Sequence, residues 1–289
     1  MINVSAMDWT EFGVETKVLI INGVHIRFYE IGSGSQTFLF VHGNASSAMS
    51  FRYLMRELSS DSRCIAFDLP GFGASEKPSD PAFYTLSNFI DIYKGFVMKL
   101  GLQDIVLVVH EFGSLVGCGG AITDYDKYRG IVMINSVTVP DEKLPLKVRR
   151  KFLNTESGNT KKIRAYQELI FKKGYNIVDE ESVKYHLGVN NNYENGIGIL
   201  SVLNEIPTSS KHSNYSLVFK LLSKLESWDI PVLLIYGEKS YLFGSKLGKV
   251  LSRKLARPEY HCIEGGSFFL QEESWEDIMK YLISWRNKL

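Results

Sequence analysis

Glu111 is the side chain whose type and position most directly suggest chemistry. It follows the apolar, β-rich residues 106–110 and precedes Phe112, Gly113 and a helical pattern that begins at Ser114. A short β-rich run that stops at a polar residue and a glycine predicts a strand, a sharp turn and a helix, with Glu111 at the apex of the turn. A carboxyl group held there away from bulk water has its pKa raised by desolvation, towards about 6–7, where it can act as a general acid or base.

Strands and helices alternate around this turn. Two β-rich runs, residues 17–21 and 24–31, flank Asn22 and Gly23, and this dipeptide predicts a hairpin because both positions tolerate positive φ. Thr85 can cap a helix with one apolar face that Gly101 ends. Continuous apolar runs predict further strands buried on both faces, at residues 37–41, 64–67, 105–109, 131–134, 232–236 and 260–263. We therefore expect an α/β fold with a mostly parallel sheet flanked by helices.

The pattern changes after Pro140. From Asp141 to about Trp228 the sequence is helical, lysine-rich and interrupted by glycine and asparagine, and a buried-strand pattern then resumes. We predict a helical cap of residues 140–228 inserted into a core formed by residues 1–139 and 229–289.

Composition narrows the classes of partner. The 289 residues carry a net charge of +1, which gives no reason to expect nucleic acid or an anionic membrane. No run approaches the ~20 apolar residues that span a bilayer, and no secretory signal, metal-ligand spacing or nucleotide loop is present. We expect a cytoplasmic, cofactor-free monomer or homodimer that uses its aromatic residues to bind a small apolar organic molecule.

Five motifs carry a resemblance to a known family. They are His-Gly-Asn-Ala-Ser-Ser at residues 42–47, Asp-Leu-Pro-Gly-Phe-Gly-Ala-Ser-Glu-Lys-Pro at 68–78, Leu-Val-Val-His-Glu-Phe-Gly-Ser at 107–114, Pro-Val-Leu-Leu-Ile-Tyr-Gly-Glu-Lys at 231–239 and Gly-Gly-Ser-Phe-Phe-Leu-Gln-Glu-Glu at 265–273. In this order they resemble the α/β-hydrolase superfamily, and more narrowly its haloalkane dehalogenase and epoxide hydrolase branch. The resemblance implies eight strands, mostly parallel, with a helical cap after the sixth strand.

Every catalytic position implied by the resemblance is substituted. The nucleophile position, serine or aspartate in the family, falls on Glu111, and the tryptophan that follows it in the dehalogenases falls on Phe112. The histidine position falls on Ser267. The acid position falls on Ser240 after the seventh strand or, as in some dehalogenases, on Asn135 after the sixth. Glu111, Ser267 and Ser240 therefore occupy the three catalytic positions.

Ordinary hydrolysis is disfavoured by two separate arguments. Cleavage of a covalent ester needs a base about 3 Å from the attacking water, and the hydroxyl of Ser267 is not basic near neutral pH. The extra methylene of Glu111 relative to aspartate displaces the attacking oxygen by on the order of 1 Å, which can cost about a hundredfold in rate.

Proton transfer is not disfavoured. The resemblance places an oxyanion hole at the backbone N–H of Phe112 and at that of Asn44 or Ala45, with the Asn44 side chain as a further donor. A carbonyl or an opening epoxide could be polarised there while Glu111 moves a proton. This hypothesis predicts an atypical lyase, isomerase, cyclase or ring-opening enzyme.

Three neighbouring residues are further candidates for substrate binding. Tyr241 lies where family loops face the pocket, Phe268 lies beside the vacant histidine position, and Asn135 falls on the acid position after the sixth strand. His42 in the loop motif is a fourth candidate, although a histidine there is more often a structural hydrogen-bonding group than a base. His110 immediately precedes the apex and is expected to point away from it.

Two alternatives remain open. In the first alternative, Glu111 only satisfies backbone donors at the elbow of a catalytically inactive protein that retains a ligand pocket. Alternatively, the protein is a hydrolase with a relocated base, for which the cap residues His186 and His212 are the candidates. Replacement of Glu111 by glutamine separates the first hypothesis from the binding protein, and replacement of the histidines by alanine tests the relocated base.

Overall fold

One eight-stranded sheet organises the chain in the computed structural model, which describes residues 13–138, 148, 151–152, 159–174, 180–188 and 193–289. The strand order is β1-β2-β4-β3-β5-β6-β7-β8. The strands are β1 (Glu15–Ile21), β2 (Val24–Ile31), β3 (Thr37–Val41), β4 (Arg63–Phe67), β5 (Ile105–His110), β6 (Tyr128–Ile134), β7 (Pro231–Gly237) and β8 (Arg257–Ile263).

Six of the eight strands, β3 to β8, pair with one another in parallel. Only β1 and β2, and β2 and β4, pair in antiparallel fashion. The hairpin between β1 and β2 turns at Asn22 and Gly23, whose φ angles are 50° and 82°. The predicted eight-stranded, mostly parallel sheet is therefore confirmed, together with its N-terminal hairpin.

Helices follow the strands and cover both faces of the sheet. Thr85 caps its helix as predicted, since its side chain accepts a hydrogen bond from the backbone N–H of Asn88. The core helices among the described residues are α1 (Arg52–Leu58), α2 (Leu86–Lys99), α3 (Gly113–Ala121), α8 (Ser245–Ser252), α9 (Leu270–Glu273) and α10 (Trp275–Arg286).

Four described helices lie between β6 and β7, and we call them the cap helices. They are α4 (Thr160–Gly174), α5 (Glu180–Gly188), α6 (Tyr193–Glu205) and α7 (Tyr215–Ser227). This agrees with an inserted helical segment after the sixth strand. The predicted start of the cap at residue 140 lies outside the described residues, so the boundaries of the two domains remain a prediction.

Two clusters of buried side chains fill the two sides of the sheet. All residues of β3 and β5 are buried, as expected for central strands covered on both faces. Their carboxyl ends lie side by side, with Val41 beside Val109, so the loops that follow them meet at one edge. Within the described part of the chain, no helix combines the length and apolar character needed to cross a membrane.

Candidate active site at the strand β5 elbow

Glu111 sits at a strained turn between β5 and α3. Its φ is 48°, in the left-handed region, which costs a non-glycine residue roughly 1–2 kcal/mol. The turn is tight because the carbonyl of Glu111 accepts hydrogen bonds from the backbone N–H of Ser114 at 2.9 Å and from its hydroxyl at 2.6 Å. A Cβ on Gly113 would lie 2.2 Å from the carbonyl oxygen of Val41, so only glycine fits there. The sequence therefore produces the predicted strand, sharp turn and helix.

The carboxylate of Glu111 fills the expected oxyanion hole. Its Oε2 accepts a hydrogen bond from the backbone N–H of Phe112 at 2.5 Å and from that of Asn44 at 2.7 Å. Its Oε1 is buried and has no hydrogen-bond partner among the described residues. One carboxylate oxygen is thus fixed by two N–H donors, while no residue in the described part of the chain bonds to the other.

This arrangement corrects part of the sequence-based hypothesis. The N–H groups of Phe112 and Asn44 were expected to polarise a substrate oxygen, but in this structure they bind the protein's own side chain. The N–H of Ala45 is also engaged, because it donates to Oδ1 of Asn44 at 2.8 Å. A substrate oxygen can enter this hole only by displacing Glu111.

Burial governs the protonation of Glu111, whose side chain is inaccessible to solvent. Desolvation raises its pKa from 4.5 to about 7, although the N–H donors of Asn44 and Phe112 act in the opposite direction. The carboxyl group therefore exists in both protonation states near neutral pH. This is the property that an acid–base catalyst needs.

The residues at the histidine position do not form a base. The hydroxyl of Ser267 donates to Oε2 of Glu273 at 2.7 Å, and its backbone N–H donates to the other oxygen of the same carboxylate. Phe268 is buried and packs edge-on against His110, with 4.9 Å between the ring centroids. Ser267 is thus bonded to Glu273, and these contacts do not support the prediction that it contributes to the catalytic site.

Asn135, at the acid position, has hydrogen bonds that suit a structural role. Its Nδ2 donates to the carbonyl oxygens of Ser267 and Phe268, both at 2.9 Å, and its Oδ1 accepts from the N–H of Gly237 at 3.0 Å. All of its side-chain hydrogen-bonding groups join loops after different strands. Its contacts do not indicate substrate binding.

The other acid position lies apart from these contacts. The hydroxyl of Ser240 donates to the carbonyl oxygen of Leu242, and Tyr241 is half-buried and packs on the hydrophobic core. Among the described residues, no hydrogen bond or ion pair joins Ser240 or Tyr241 to Glu111, so their place in the site stays a prediction.

The two histidines beside the elbow are structural. His42 hydrogen-bonds through Nδ1 to the carbonyl oxygen of Gly43 and accepts at Nε2 from the N–H of Leu69. Burial lowers the pKa of His42 to about 4 and that of His110 to about 3. Both imidazoles are therefore neutral near pH 7.

The relocated base is not found at the predicted positions. Nε2 of His186 lies 3.3 Å from Oε1 of Glu272, and Nε2 of His212 donates to the carbonyl oxygen of Asn204 at 2.7 Å. No hydrogen bond among the described residues joins either imidazole to Glu111. The hypothesis that one of these two histidines replaces the missing base is therefore not supported by their contacts with the elbow, and it stays a prediction.

The cap covers the elbow through residues that the sequence did not single out. Nδ2 of Asn44 donates to the carbonyl oxygen of Ile199 in α6 at 3.0 Å. Tyr166 of α4 is buried, and burial together with the charge of Glu111 raises the pKa of its hydroxyl. The amphipathic pattern of α4 predicts burial, but no local pattern indicates that Tyr166 lies near Glu111. Asn44 therefore connects the cap to the same loop that holds the Glu111 carboxylate.

Among the described residues, no group of three or more histidine, cysteine, aspartate or glutamate side chains is arranged to hold a metal ion. The donor set around Glu111 consists of backbone N–H groups, which suit an anion rather than a cation. The site is therefore built around one carboxylate and its amide donors.

Comparison with known proteins places these features in a family. A family model described as alpha/beta hydrolase fold matches residues 36–274. The chain is 25% identical over 271 residues to a cis-3-alkyl-4-alkyloxetan-2-one decarboxylase of Shewanella oneidensis, covering 90% of this chain and 85% of that protein. It is 36% identical over 131 residues to a haloalkane dehalogenase of Sphingobium indicum, covering 44% of each.

The fold also matches solved structures. The crystal structure of the haloalkane dehalogenase DatA from Agrobacterium tumefaciens has a TM-score of 0.83 and 22% sequence identity, and the match covers 95% of this chain and 97% of that one. At this identity the match shows the fold alone.

Proposed function

This chain belongs to the α/β-hydrolase family, and within that family we propose that it is a non-hydrolytic lyase or ring-opening enzyme in which Glu111 is the general acid. The observation that carries the proposal is the asymmetric environment of its carboxyl group. Oε2 is fixed by two N–H donors, and Oε1 is buried without a partner among the described residues. A proton on Oε1 therefore has no acceptor in this part of the chain and is available to a bound ligand.

Covalent hydrolysis fits this environment poorly. A tetrahedral intermediate would need the N–H groups of Asn44 and Phe112, and Glu111 already occupies them. Activation of water would need a base, and the side chain of Ser267 is bonded to Glu273 instead. A reaction that consumes no water avoids both requirements.

Strained cyclic esters are the substrate class we favour. A relative that covers 90% of this chain is a decarboxylase of cis-3-alkyl-4-alkyloxetan-2-ones. Loss of carbon dioxide from an oxetan-2-one leaves the other two ring carbons as an alkene, so the reaction consumes no water. Two alkyl substituents also suit a site closed by the apolar faces of the cap helices.

Glu111 can assist this reaction with one proton. Protonated Oε1 gives its proton to the ring oxygen while the bond from that oxygen to the alkyl-bearing carbon breaks. The bond from the neighbouring ring carbon to the carboxyl carbon then breaks, and its electron pair forms the alkene. The proton returns to Glu111 as carbon dioxide leaves, so the carboxyl group is regenerated. A pKa of about 7 supplies the protonated form near neutral pH.

The test is a product assay with cis-3,4-dialkyl oxetan-2-ones in water labelled with ¹⁸O. We expect alkene and carbon dioxide without labelled hydroxy acid, and a loss of rate of at least about a hundredfold in Glu111→Gln. Glu238→Gln is the matched control, because that exposed carboxylate accepts only from the N–H of Gly265 among the described contacts. Formation of labelled hydroxy acid, or full activity in Glu111→Gln, would contradict the proposal.

A second candidate is a ligand-binding protein without catalysis. The filled oxyanion hole favours it, because the two N–H donors are satisfied in the resting protein without any substrate. It predicts that dialkyl oxetan-2-ones or their alkyl analogues bind unchanged, and that Glu111→Gln binds them equally well. Product formation by the wild-type protein that is lost in Glu111→Gln excludes this candidate.

A further inference from the structure

A buried ion pair joins two core helices, α1 and α9, and the cap contacts it. Nη1 of Arg52 lies 2.9 Å from Oε2 of Glu272, and the two side chains are only 1% and 3% exposed. Two residues of cap helix α5 contact the same carboxylate. The hydroxyl of Ser182 donates to Oε2 at 2.5 Å, and Nε2 of His186 lies 3.3 Å from Oε1.

His186 also contacts the loop after β3 and cap helix α4. Its Nδ1 lies 3.5 Å from the hydroxyl of Ser47, and its ring stacks on Phe171 of α4 with 5.7 Å between centroids. Phe171 in turn stacks on Phe269 at 5.4 Å, with the ring planes 6° apart. His186 therefore connects α4, α5, the loop after β3 and the loop after β8.

These two loops are the ones that surround Glu111. Ser47 lies three residues after Asn44, whose N–H binds the Glu111 carboxylate. Phe269 packs against His110, the residue before Glu111, with 5.6 Å between centroids. The His186 contacts are thus tied to both sides of the elbow.

Charge explains why Glu272 can serve as an anchor in the interior. Its burial raises the pKa, but the hydrogen bond from His186 and the charge of Arg52 outweigh burial and lower the pKa to about 2. The carboxylate is therefore ionised near neutral pH, and a cap helix that moved away would deprive it of two hydrogen bonds.

We propose that Ser182 and His186 form a latch with Glu272 that holds the cap helices closed over Glu111, with His186 as its principal positioning residue. The latch stands on these contacts and does not depend on the reaction proposed for Glu111.

A catalytic triad of Ser47, His186 and Glu272 would place the same residue types in line, but the contacts oppose it. Arg52 already neutralises the carboxylate that would have to stabilise an imidazolium. The N–H that follows Ser47, that of Ala48, donates to Oδ1 of Asp68 at 2.8 Å and so cannot bind an oxyanion beside Ser47. The latch is the interpretation that these partners favour.

The test measures cap opening by amide hydrogen exchange and by carbodiimide labelling of Glu111, each followed by mass spectrometry. His186→Phe keeps an aromatic ring to stack on Phe171 and removes both hydrogen bonds. We expect exchange in residues 180–188 and 42–48, and labelling of Glu111, to rise about tenfold, with exchange in β5 unchanged. His186→Gln keeps a donor for Glu272 and should show a smaller rise.

His212→Gln is the matched control, because His212 is also a cap histidine but bonds to the carbonyl oxygen of Asn204. It should leave exchange and labelling unchanged. If His186→Phe does not fold, Ser182→Ala decides the question, since it removes a single hydrogen bond and should raise labelling of Glu111.

Three outcomes overturn the latch. One is wild-type labelling of Glu111 in the folded variants of His186 and Ser182. Another is a uniform rise in exchange that includes β5, which would indicate a general loss of stability. The third is loss of turnover in Ser47→Ala with unchanged labelling of Glu111, which would support the triad instead.

Discussion

The backbone N–H of Asn44 donates a hydrogen bond of 2.7 Å to Oε2 of Glu111, across 67 residues of sequence. Together with the N–H of Phe112, it gives the carboxylate the place that a reaction intermediate takes in a hydrolytic oxyanion hole. Glu111 is one methylene longer than aspartate. Its carboxylate therefore reaches the N–H donors that an aspartate would leave to the substrate. The position of the carboxylate favours proton transfer over covalent hydrolysis.

Shortening Glu111 should destabilise the protein. Aspartate at this position is one methylene shorter and should leave the buried N–H groups of Asn44 and Phe112 without their acceptor. We expect Glu111→Asp to lower the free energy of unfolding by about 1–3 kcal/mol, measured by urea denaturation. Glu111→Gln retains an amide oxygen of the right reach and should be less affected. Equal stabilities for wild type and Glu111→Asp would show that the two hydrogen bonds do not hold the elbow.

Ionisation of Glu111 should make the free energy of unfolding depend on pH. Its pKa is raised from 4.5 to about 7 in the folded protein, so between these values the folded state binds more protons than the unfolded state. The stabilisation from this group is therefore fully present below pH 4.5 and is lost as the pH rises through about 7. The difference between 4.5 and about 7 corresponds to about 3 kcal/mol.

The comparison with Glu111→Gln isolates this effect. His42 and His110 have lowered pKa values, so their stabilisation is lost as the pH falls, but they are present in both proteins. We expect the stability of wild type relative to Glu111→Gln, from urea denaturation across the range, to fall by about 3 kcal/mol as the pH rises from 4.5 to above 7. Parallel stability curves would mean that Glu111 titrates normally.

An aspartate in place of Asn135, after the sixth strand, should destabilise the protein. Nδ2 of Asn135 donates to the carbonyl oxygens of Ser267 and Phe268, and an aspartate would set a carboxylate against both oxygens. We expect Asn135→Asp to lower the free energy of unfolding by about 3 kcal/mol or more, because buried partners are left unpaired and a charge is added. Ser240→Asp, at the half-buried alternative position, should cost less. If Asn135→Asp has the same free energy of unfolding as wild type, the side-chain hydrogen bonds of Asn135 do not hold these loops together.

The sequence predicted the scaffold of the site well. The apolar run before Glu111, the glycine after Phe112 and the turn dipeptide Asn22-Gly23 are local signals, and each forms the predicted element. Alternation of strands and helices was sufficient to predict the parallel sheet, because the period of buried residues differs between the two.

The contacts of the site could not be predicted in the same way. The Glu111 carboxylate turns towards Asn44 because the loop after β3 lies beside it, and no local pattern encodes that distance. His186 meets Glu272 across 86 residues, and Asn135 meets Ser267 across 132. These pairings depend on how the loops and the cap pack, and the residue types alone permitted several partners. Ser267 and Glu273 lie in one motif, but the motif does not indicate that their side chains form a hydrogen bond.

The central claim is that Glu111 is a buried carboxyl group that is protonated and deprotonated near neutral pH. The direct measurement is a ¹³C NMR titration of the glutamate side-chain carboxyl carbons, with the Glu111 signal assigned by its disappearance in Glu111→Gln. The account predicts a midpoint of about 7 for this signal. A midpoint near the ordinary value of 4.5 would contradict it, since Glu111 would then be a permanently ionised ligand of its own oxyanion hole.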